Sequence, residues 1–289
     1  MIDSAKPVLR FAPSPNGLLH LGHAYSALLN FEIARRLGGR FLLRIEDIDR
    51  DRCKPEFETA IKEDLAWLGP EWEEPVRRQS RHFADYSAAL AKLAARGLIY
   101  PCFCTRGDIA RALATRKEGP RDPDGGPFYP GTCKRLSAAE RATRIAAGQS
   151  AAFRLDIAAV LAQTGTGLGW REYGEGDSPR EVIAEPSLWG DPIVARRDIP
   201  TSYHVAVVVD DAEQGVTDVV RGRDLFDATS LQRLLQVLLD LPAPNYRHHC
   251  LVLDKSGQKL SKSTQAKSIR SMREAGVSAA AIRRQLGFD

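Results

Sequence analysis

The 289-residue chain has no apolar run of about eighteen residues, the length a membrane-spanning helix needs. Met1 to Pro7 lack the apolar stretch of a secretory signal, so export is not expected. No Gly-x4-Gly-Lys-Ser/Thr segment occurs, which excludes a P-loop nucleotide site, and Gly165, Gly167 and Gly169 do not fit the dinucleotide fingerprint. Internal repeats and low-complexity tracts are also missing. Cysteine is sparse and odd in number, at five, which excludes a disulfide scaffold. Three of the five fall between Cys102 and Cys133. With no export signal, that crowding favours a metal site in a reducing, cytoplasmic compartment. What is present is an ordinary globular balance, 43% hydrophobic and 27% charged, which excludes a disordered or collagen-like chain. The length suits two domains, or one core with a large insertion.

The net charge of +4 says less than its distribution. Residues 101–150 carry nine Lys/Arg against five Asp/Glu, and residues 264–289 carry five against two, so the remainder is slightly acidic. Two basic surfaces that meet a polyanion would account for this. Ordinary solvated helix faces are the plainer alternative.

Val8 to Ala12 reads as a short strand, stopped by Pro13-Ser14-Pro15-Asn16-Gly17. Ala24, Ala27, Leu28, Phe31 and Ala34 then recur at helical spacing, predicting a helix over 22–37 closed by Gly38-Gly39. Phe41 to Ile45 is a second buried strand, and the β–loop–α–β order requires it to run parallel to the first. Helices are predicted over 55–68 and 80–96. After Tyr100 the character changes to a basic stretch, a Pro/Gly-rich segment, and a helix capped by Ser137. Short strands are predicted from Ala151 to Arg197. A fully apolar strand is expected at Val205–Val209, a helix over 224–240, and a strand at His249–Leu253. The expectation is an α/β domain that opens at 1–100, is interrupted by a mixed α+β insertion at 101–197, and resumes at 198–253. A loop and short helical tail follow at 254–289.

Four constellations carry chemistry. His20-Leu21-Gly22-His23 starts the first helix, where free N–H groups and the dipole favour an anion. Two imidazoles three apart share one side of the turn, and Gly22 lets a base or phosphate approach the backbone. Incidental histidines at a capped helix, or half a metal site, are the alternatives. Lys259-Leu260-Ser261-Lys262-Ser263 places two lysines in a hydroxyl-rich loop suited to phosphate oxygens. Arg10 and Glu46 sit at the carboxyl ends of the first two strands, where side chains enter a ligand crevice. Together they suit a zwitterion with an extra carboxylate, or they simply pair with each other. Cys102, Cys104 and Cys133 leave one vacancy in a four-ligand site, which Tyr129 could fill through an unusual phenolate bond.

The first and second constellations together resemble the two signatures of class I aminoacyl-tRNA synthetases. The segments around Arg10 and Glu46, with Tyr203–Asp211 and Val219–Leu225, resemble the glutamate-binding motifs of glutamyl-tRNA synthetases. The resemblance covers about 8–263 and implies a Rossmann-like parallel-sheet domain. It assigns His20, His23, Lys259 and Lys262 to catalysis, and His20, Gly22, His23 and Lys262 to ATP. It assigns Arg10, Ala12, Ser14, Glu46, Tyr203 and Arg221 to glutamate. The Cys-x-Cys…Tyr-x3-Cys pattern resembles the zinc site of the glutamyl-Q tRNA(Asp) synthetase family, which implies structural Zn²⁺ on Cys102, Cys104, Tyr129 and Cys133. Thr264 to Asp289 is too short for an independent anticodon-binding domain. The chain is therefore expected to resemble that family's bare catalytic core. It would activate glutamate with ATP and Mg²⁺ and esterify it to queuosine in the anticodon of tRNA(Asp). The insertion and basic tail would touch the anticodon stem-loop, and the protein would act as a monomer without an obligate protein partner. Three alternatives stay open: a minimal glutamyl-tRNA synthetase charging a tRNA 3′ end, a small-molecule nucleotidylyltransferase, and a non-enzymatic RNA-binding paralogue.

Overall fold

Alternation along two short strands sets the architecture. In Val8–Phe11 (β1), Leu9 and Phe11 face one core, while Val8 and Arg10 face the other side of the sheet. In Arg40–Ile45 (β2), Phe41, Leu43 and Ile45 share the first face, and Leu42 and Arg44 the second. This period of two puts two buried arginines on one face of a parallel pair registered Arg10 to Leu42. The computed structural model describes residues 6–114, 119–164, 167–174, 176, 178–253 and 267–288.

The helix Leu21–Arg36 (α1) joins β1 to β2. It is followed by Pro55–Leu68 (α2), with Pro55 in its first turn and Gly69 left-handed at its end, and by the parallel strand Glu73–Arg78 (β3). Phe83–Ala95 (α3) then leads into the second region. There Ile99–Cys102 (β4) is followed by the helices Arg106–Leu113 (α4) and Ala138–Ala146 (α5), each opened by a capping box. Ala152–Leu155 (β5) and the short helix Ile157–Thr164 (α6) come next. The strands Gly169–Glu172 (β6), Arg180–Ile183 (β7) and Ile193–Ala195 (β8) complete the region. Strands β4, β5 and β8 form one antiparallel sheet. The β6–β7 hairpin does not join it. Instead β6 lies parallel to Asn245–His249 (β10), which lies parallel to Asp218–Gly222 (β9). The second sheet is thus ordered β7-β6-β10-β9. It meets the β1-β2-β3 sheet where Thr217 N–H donates to the Val8 carbonyl (3.0 Å) and Val8 N–H to Thr217 Oγ1 (2.9 Å).

Three expectations are corrected. Val205–Val209 is not a strand but part of the helix Tyr203–Glu213 (α7), capped by Ser202. A short, wholly apolar run fits a buried strand or a helix buried on all sides equally well, and residues Val205 to Asp211 are all buried. The predicted strand at His249–Leu253 ends at His249 and starts at Asn245, because a polar sequence, Asn-Tyr-Arg-His-His, fills a central strand. The helix predicted from 224 begins at Ala228 and ends at Leu239 (α8), after a separate 3₁₀ turn over Arg223–Leu225.

The tail forms two short helices, Ile269–Glu274 (α9) and Ala279–Gln285 (α10), docked by fully buried Ile269 and Ile282 onto the core under β1–β3. Its expected basic surface is partly spent within the chain. Arg270 reaches Glu63 (2.9 Å), Arg273 reaches Asp64 (3.5 Å), and Arg283 reaches Glu32 (2.9 Å).

Candidate active site

At the carboxyl ends of the parallel strands β1 and β9, where their two sheets meet, a cleft of about 810 Å³ opens. This is the switch point at which open α/β sheets hold ligands. Its wall contains Arg10, Ala12, Ser14, His20, Gly22, His23, Glu46, Tyr203 and Arg221. The fold therefore brings the amino-acid candidates and His20, Gly22 and His23 from four segments into one space.

His20 is the N-cap of α1. Its Nδ1 accepts from Gly22 N–H (3.1 Å), and His23 Nδ1 accepts from His20 N–H (3.3 Å). Each ring nitrogen facing the backbone is thus an acceptor, so the proton of each neutral imidazole sits on Nε2. The rings lie 3.8 Å apart between centroids. Gly22 has a further role beyond ligand approach. A Cβ there would stand 3.0 Å from His20 Cε1, so the glycine makes room for the folded-back imidazole.

The alternative of a mutual Arg10–Glu46 pair does not form among the described residues. Arg10 donates from Nε and Nη2 to Asp211 on α7, at 3.0 and 3.3 Å. Arg44, fully buried, donates from Nη1 to Asp211 (2.7 Å) and from Nη2 to Glu46 (3.1 Å). Burial alone would raise the Asp211 carboxyl, but the two guanidinium groups hold it below its ordinary value. For Glu46 burial wins, and its carboxyl is raised despite Arg44 and Arg10. Beside them Asp210 accepts from Tyr86 Oη, Gln79 Nε2 (2.8 Å) and Arg77 Nε (2.7 Å). Arg44, Asp210 and Asp211 escaped the sequence reading. The signal was there: a charge inside a buried strand, and two carboxylates ending an apolar run.

Arg221, on β9, is also tied down. Nε donates to His248 Nε2 (3.1 Å), and Nη2 donates to Thr229 Oγ1 (2.7 Å) and the Leu225 carbonyl (3.1 Å). Its Nη1 is buried and has no partner among the described residues. Tyr203 opens α7 and contributes the wall beside Arg10 and Glu46. Lys259 and Lys262 lie outside the described residues. The described chain on either side of them touches the site, since Leu251 and Val252 line the cleft and Ser268 bridges to His20.

The cysteine candidates gather away from the cleft, packed with Phe103. Cys104 Sγ lies 3.4 Å from Cys133 Sγ and 3.3 Å from Tyr129 Oη, and Tyr129 Oη accepts from Cys133 N–H at 2.8 Å. The Cys102, Cys104 and Cys133 sulfurs all fall within 4.8 Å of one another, so this cluster can hold a metal ion. Cys53 and Cys250 lie elsewhere and form no disulfide among the described residues.

The family described as the catalytic domain of class I tRNA synthetases (E and Q) matches residues 6–288. A glutamyl-Q tRNA(Asp) synthetase of Rhodobacter capsulatus is 46% identical over 97% of this chain and all of that protein. A protein of the same name from Nitratidesulfovibrio vulgaris is 41% identical over 94% of this chain and 83% of its own length. Among solved structures, a glutamate tRNA ligase from Elizabethkingia meningosepticum, in complex with its amino acid, superposes with a TM-score of 0.72 at 26% identity. It is matched over 94% of this chain, which spans only 53% of that one.

Proposed function

The chain belongs to the class I tRNA synthetase (E and Q) catalytic-domain family, and from that premise we propose that it activates glutamate with ATP and transfers it to the queuosine of tRNA(Asp). The observation that carries this reading is the single cleft uniting Arg10, Glu46, Tyr203 and Arg221 with the His20–His23 helix start.

In the first step a glutamate α-carboxylate oxygen attacks the α-phosphorus of ATP, and the bond to the pyrophosphate oxygen breaks. The chain's contribution is positioning and charge. Nε2–H of His20 and His23 faces the phosphate whose charge rises, with the α1 N-terminus behind them. Mg²⁺ with ATP offsets phosphate charge when bound. Lys259 and Lys262 supply further cations for the departing pyrophosphate. Asp211 occupies the Nε and Nη2 edge of Arg10, leaving Nη1 for a substrate carboxylate. Arg221 Nη1 meets the second carboxylate, and Glu46 accepts from the α-ammonium. Ala12 and Ser14 complete the floor beside the ligand. In the second step a cyclopentenediol hydroxyl attacks the acyl carbon and AMP leaves.

Cys102, Cys104 and Cys133 with Tyr129 make a four-donor set of sulfur and oxygen suited to zinc, which would hold 101–197 together as a structural ion. This segment and the tail would meet the anticodon stem-loop chiefly through phosphates. The catalytic unit then comprises 1–100 and 198–253 together with the β6–β7 hairpin that pairs with β10, and the protein acts as a cytoplasmic monomer.

Aminoacylation of queuosine-containing and queuosine-lacking tRNA(Asp) tests the reading. Glutamate should be incorporated only when queuosine is present, and prior periodate oxidation of its diol should abolish incorporation. Charging of tRNA(Glu) at its 3′ end instead would replace this function with that of a minimal glutamyl-tRNA synthetase.

A further inference from the structure

The donors of Arg221 lead away from the cleft into a buried chain of three side chains on three adjacent strands. His248 on β10 is registered directly opposite Arg221 on β9. Glu172 ends β6, on the far side of β10. Arg221 Nε must donate, so His248 Nε2 is the acceptor at 3.1 Å, and the ring's proton belongs to Nδ1. That Nδ1 lies 2.7 Å from Glu172 Oε2 and donates to it. Glu172 is itself anchored by the Trp170 indole N–H (3.1 Å) and the His248 backbone N–H (2.8 Å).

We infer that Glu172 and His248 are positioning residues, fixing the Arg221 guanidinium so that its unpartnered Nη1 meets a glutamate carboxylate. The inference rests on the proposed glutamate site and adds to it the two residues that orient its cation. A guanidinium is planar, so two fixed edges fix the third. Nε is held by His248, and Nη2 is held by Thr229 and the Leu225 carbonyl. Among the described residues His248 makes the hydrogen bond that ties the group to the sheet rather than to the segment 225–229, with the Tyr246 ring of the same strand 5.4 Å from the guanidinium carbon. The imidazole can serve only in the tautomer that leaves Nε2 unprotonated, and Glu172 selects that tautomer. The protonation directions agree. Burial would raise the Glu172 carboxyl, yet the hydrogen bonds from His248 and Trp170, with the attraction of the imidazolium that forms at low pH, hold it at about 2, while burial keeps His248 below its ordinary value. The arrangement also gives the β6–β7 hairpin a purpose. Although it lies in sequence between the strands of the antiparallel sheet, it pairs with β10 and delivers Glu172 behind the amino-acid pocket.

The test measures glutamate-dependent ATP–pyrophosphate exchange by the wild-type full chain, His248→Leu and His248→Gln. His248→Leu should raise the glutamate KM roughly tenfold or more and leave the ATP KM within about twofold. His248→Gln, whose amide oxygen can take the place of Nε2, should recover most of that loss. A merely structural histidine would raise both KM values together, or leave glutamine no better than leucine; either result overturns the inference, as does an unchanged glutamate KM. Nitrogen-15 chemical shifts of His248 in the wild-type protein give a reading that needs no variant. The proton should reside on Nδ1, and a proton on Nε2 refutes the relay. A wild-type protein without glutamate-dependent exchange overturns the proposed function and the relay with it. Normal wild-type exchange beside unaltered variants overturns the relay alone.

Discussion

Asp211→Asn is the perturbation that bears most directly on how the site is built. Oδ1 of Asp211 takes Arg44 Nη1 at 2.7 Å and Arg10 Nε at 3.0 Å, and Oδ2 takes Arg10 Nη2 at 3.3 Å. An asparagine oxygen can keep the first two contacts, but its NH₂ group then confronts Arg10 Nη2, donor against donor. The charge is lost as well, leaving fully buried Arg44 with Glu46 and Asp210, and Arg10 with no carboxylate partner among the described residues. Removing one partner from a buried ion pair costs about 3–5 kcal/mol. Because one oxygen survives and Arg44 keeps two further carboxylates, the low end applies, about 3 kcal/mol. For a chain of this size that corresponds to a fall in Tm of roughly 6–12 °C. The loss should shrink as pH falls. Asp211 is held below its ordinary carboxyl value, so its contribution is present above about pH 4 and disappears as pH drops through the lower folded value. Thermal unfolding of wild type and variant at pH 7 and at pH 3 measures both effects. A variant melting within about 1 °C of wild type at pH 7 would refute the argument that Asp211 holds the two arginines.

Other perturbations separate the remaining roles. Arg10→Ala should raise the glutamate KM of exchange by about tenfold or more and leave the ATP KM nearly unchanged; equal shifts in both would contradict its assignment to the amino acid. Gly22→Ala pushes the His20 ring from its place, so exchange should fall by about tenfold with little change in Tm; full activity would show the ring position to be immaterial. Cys104→Ser should lower the zinc content measured by elemental mass spectrometry and loosen 101–197 to proteolysis, and an intact wild-type chain purified without metal would remove that site. Glu172, held at about 2, contributes roughly 3 kcal/mol that is present above about pH 4.5 and lost as pH falls towards 2. Glu172→Gln should therefore flatten that acid limb, and an unchanged pH–stability profile would count against the buried carboxylate.

The order of β1, α1 and β2 could be read from the chain because hydrophobic periodicity is a local property. Leu9 and Phe11, then Ala24, Ala27 and Leu28, then Phe41, Leu43 and Ile45, each record which face meets the core. The cleft candidates were legible for a related reason. Arg10 and Glu46 stand at strand ends and His20 at a helix start, and those positions face a ligand in any such unit. Val205–Val209 was misread because five apolar residues carry no period at all.

What the chain order determined, then, was the local geometry of each half-site: a capped, histidine-bearing helix start, a cation and a carboxylate at strand tips, and a cluster of thiols. Which groups become partners was settled only by the tertiary structure. Asp211 lies about two hundred positions from Arg10, and Glu172 reaches Arg221 only through His248. No local spacing encodes such pairings. Burial does, because a charge taken out of water must find its counter-charge wherever the fold brings one within reach.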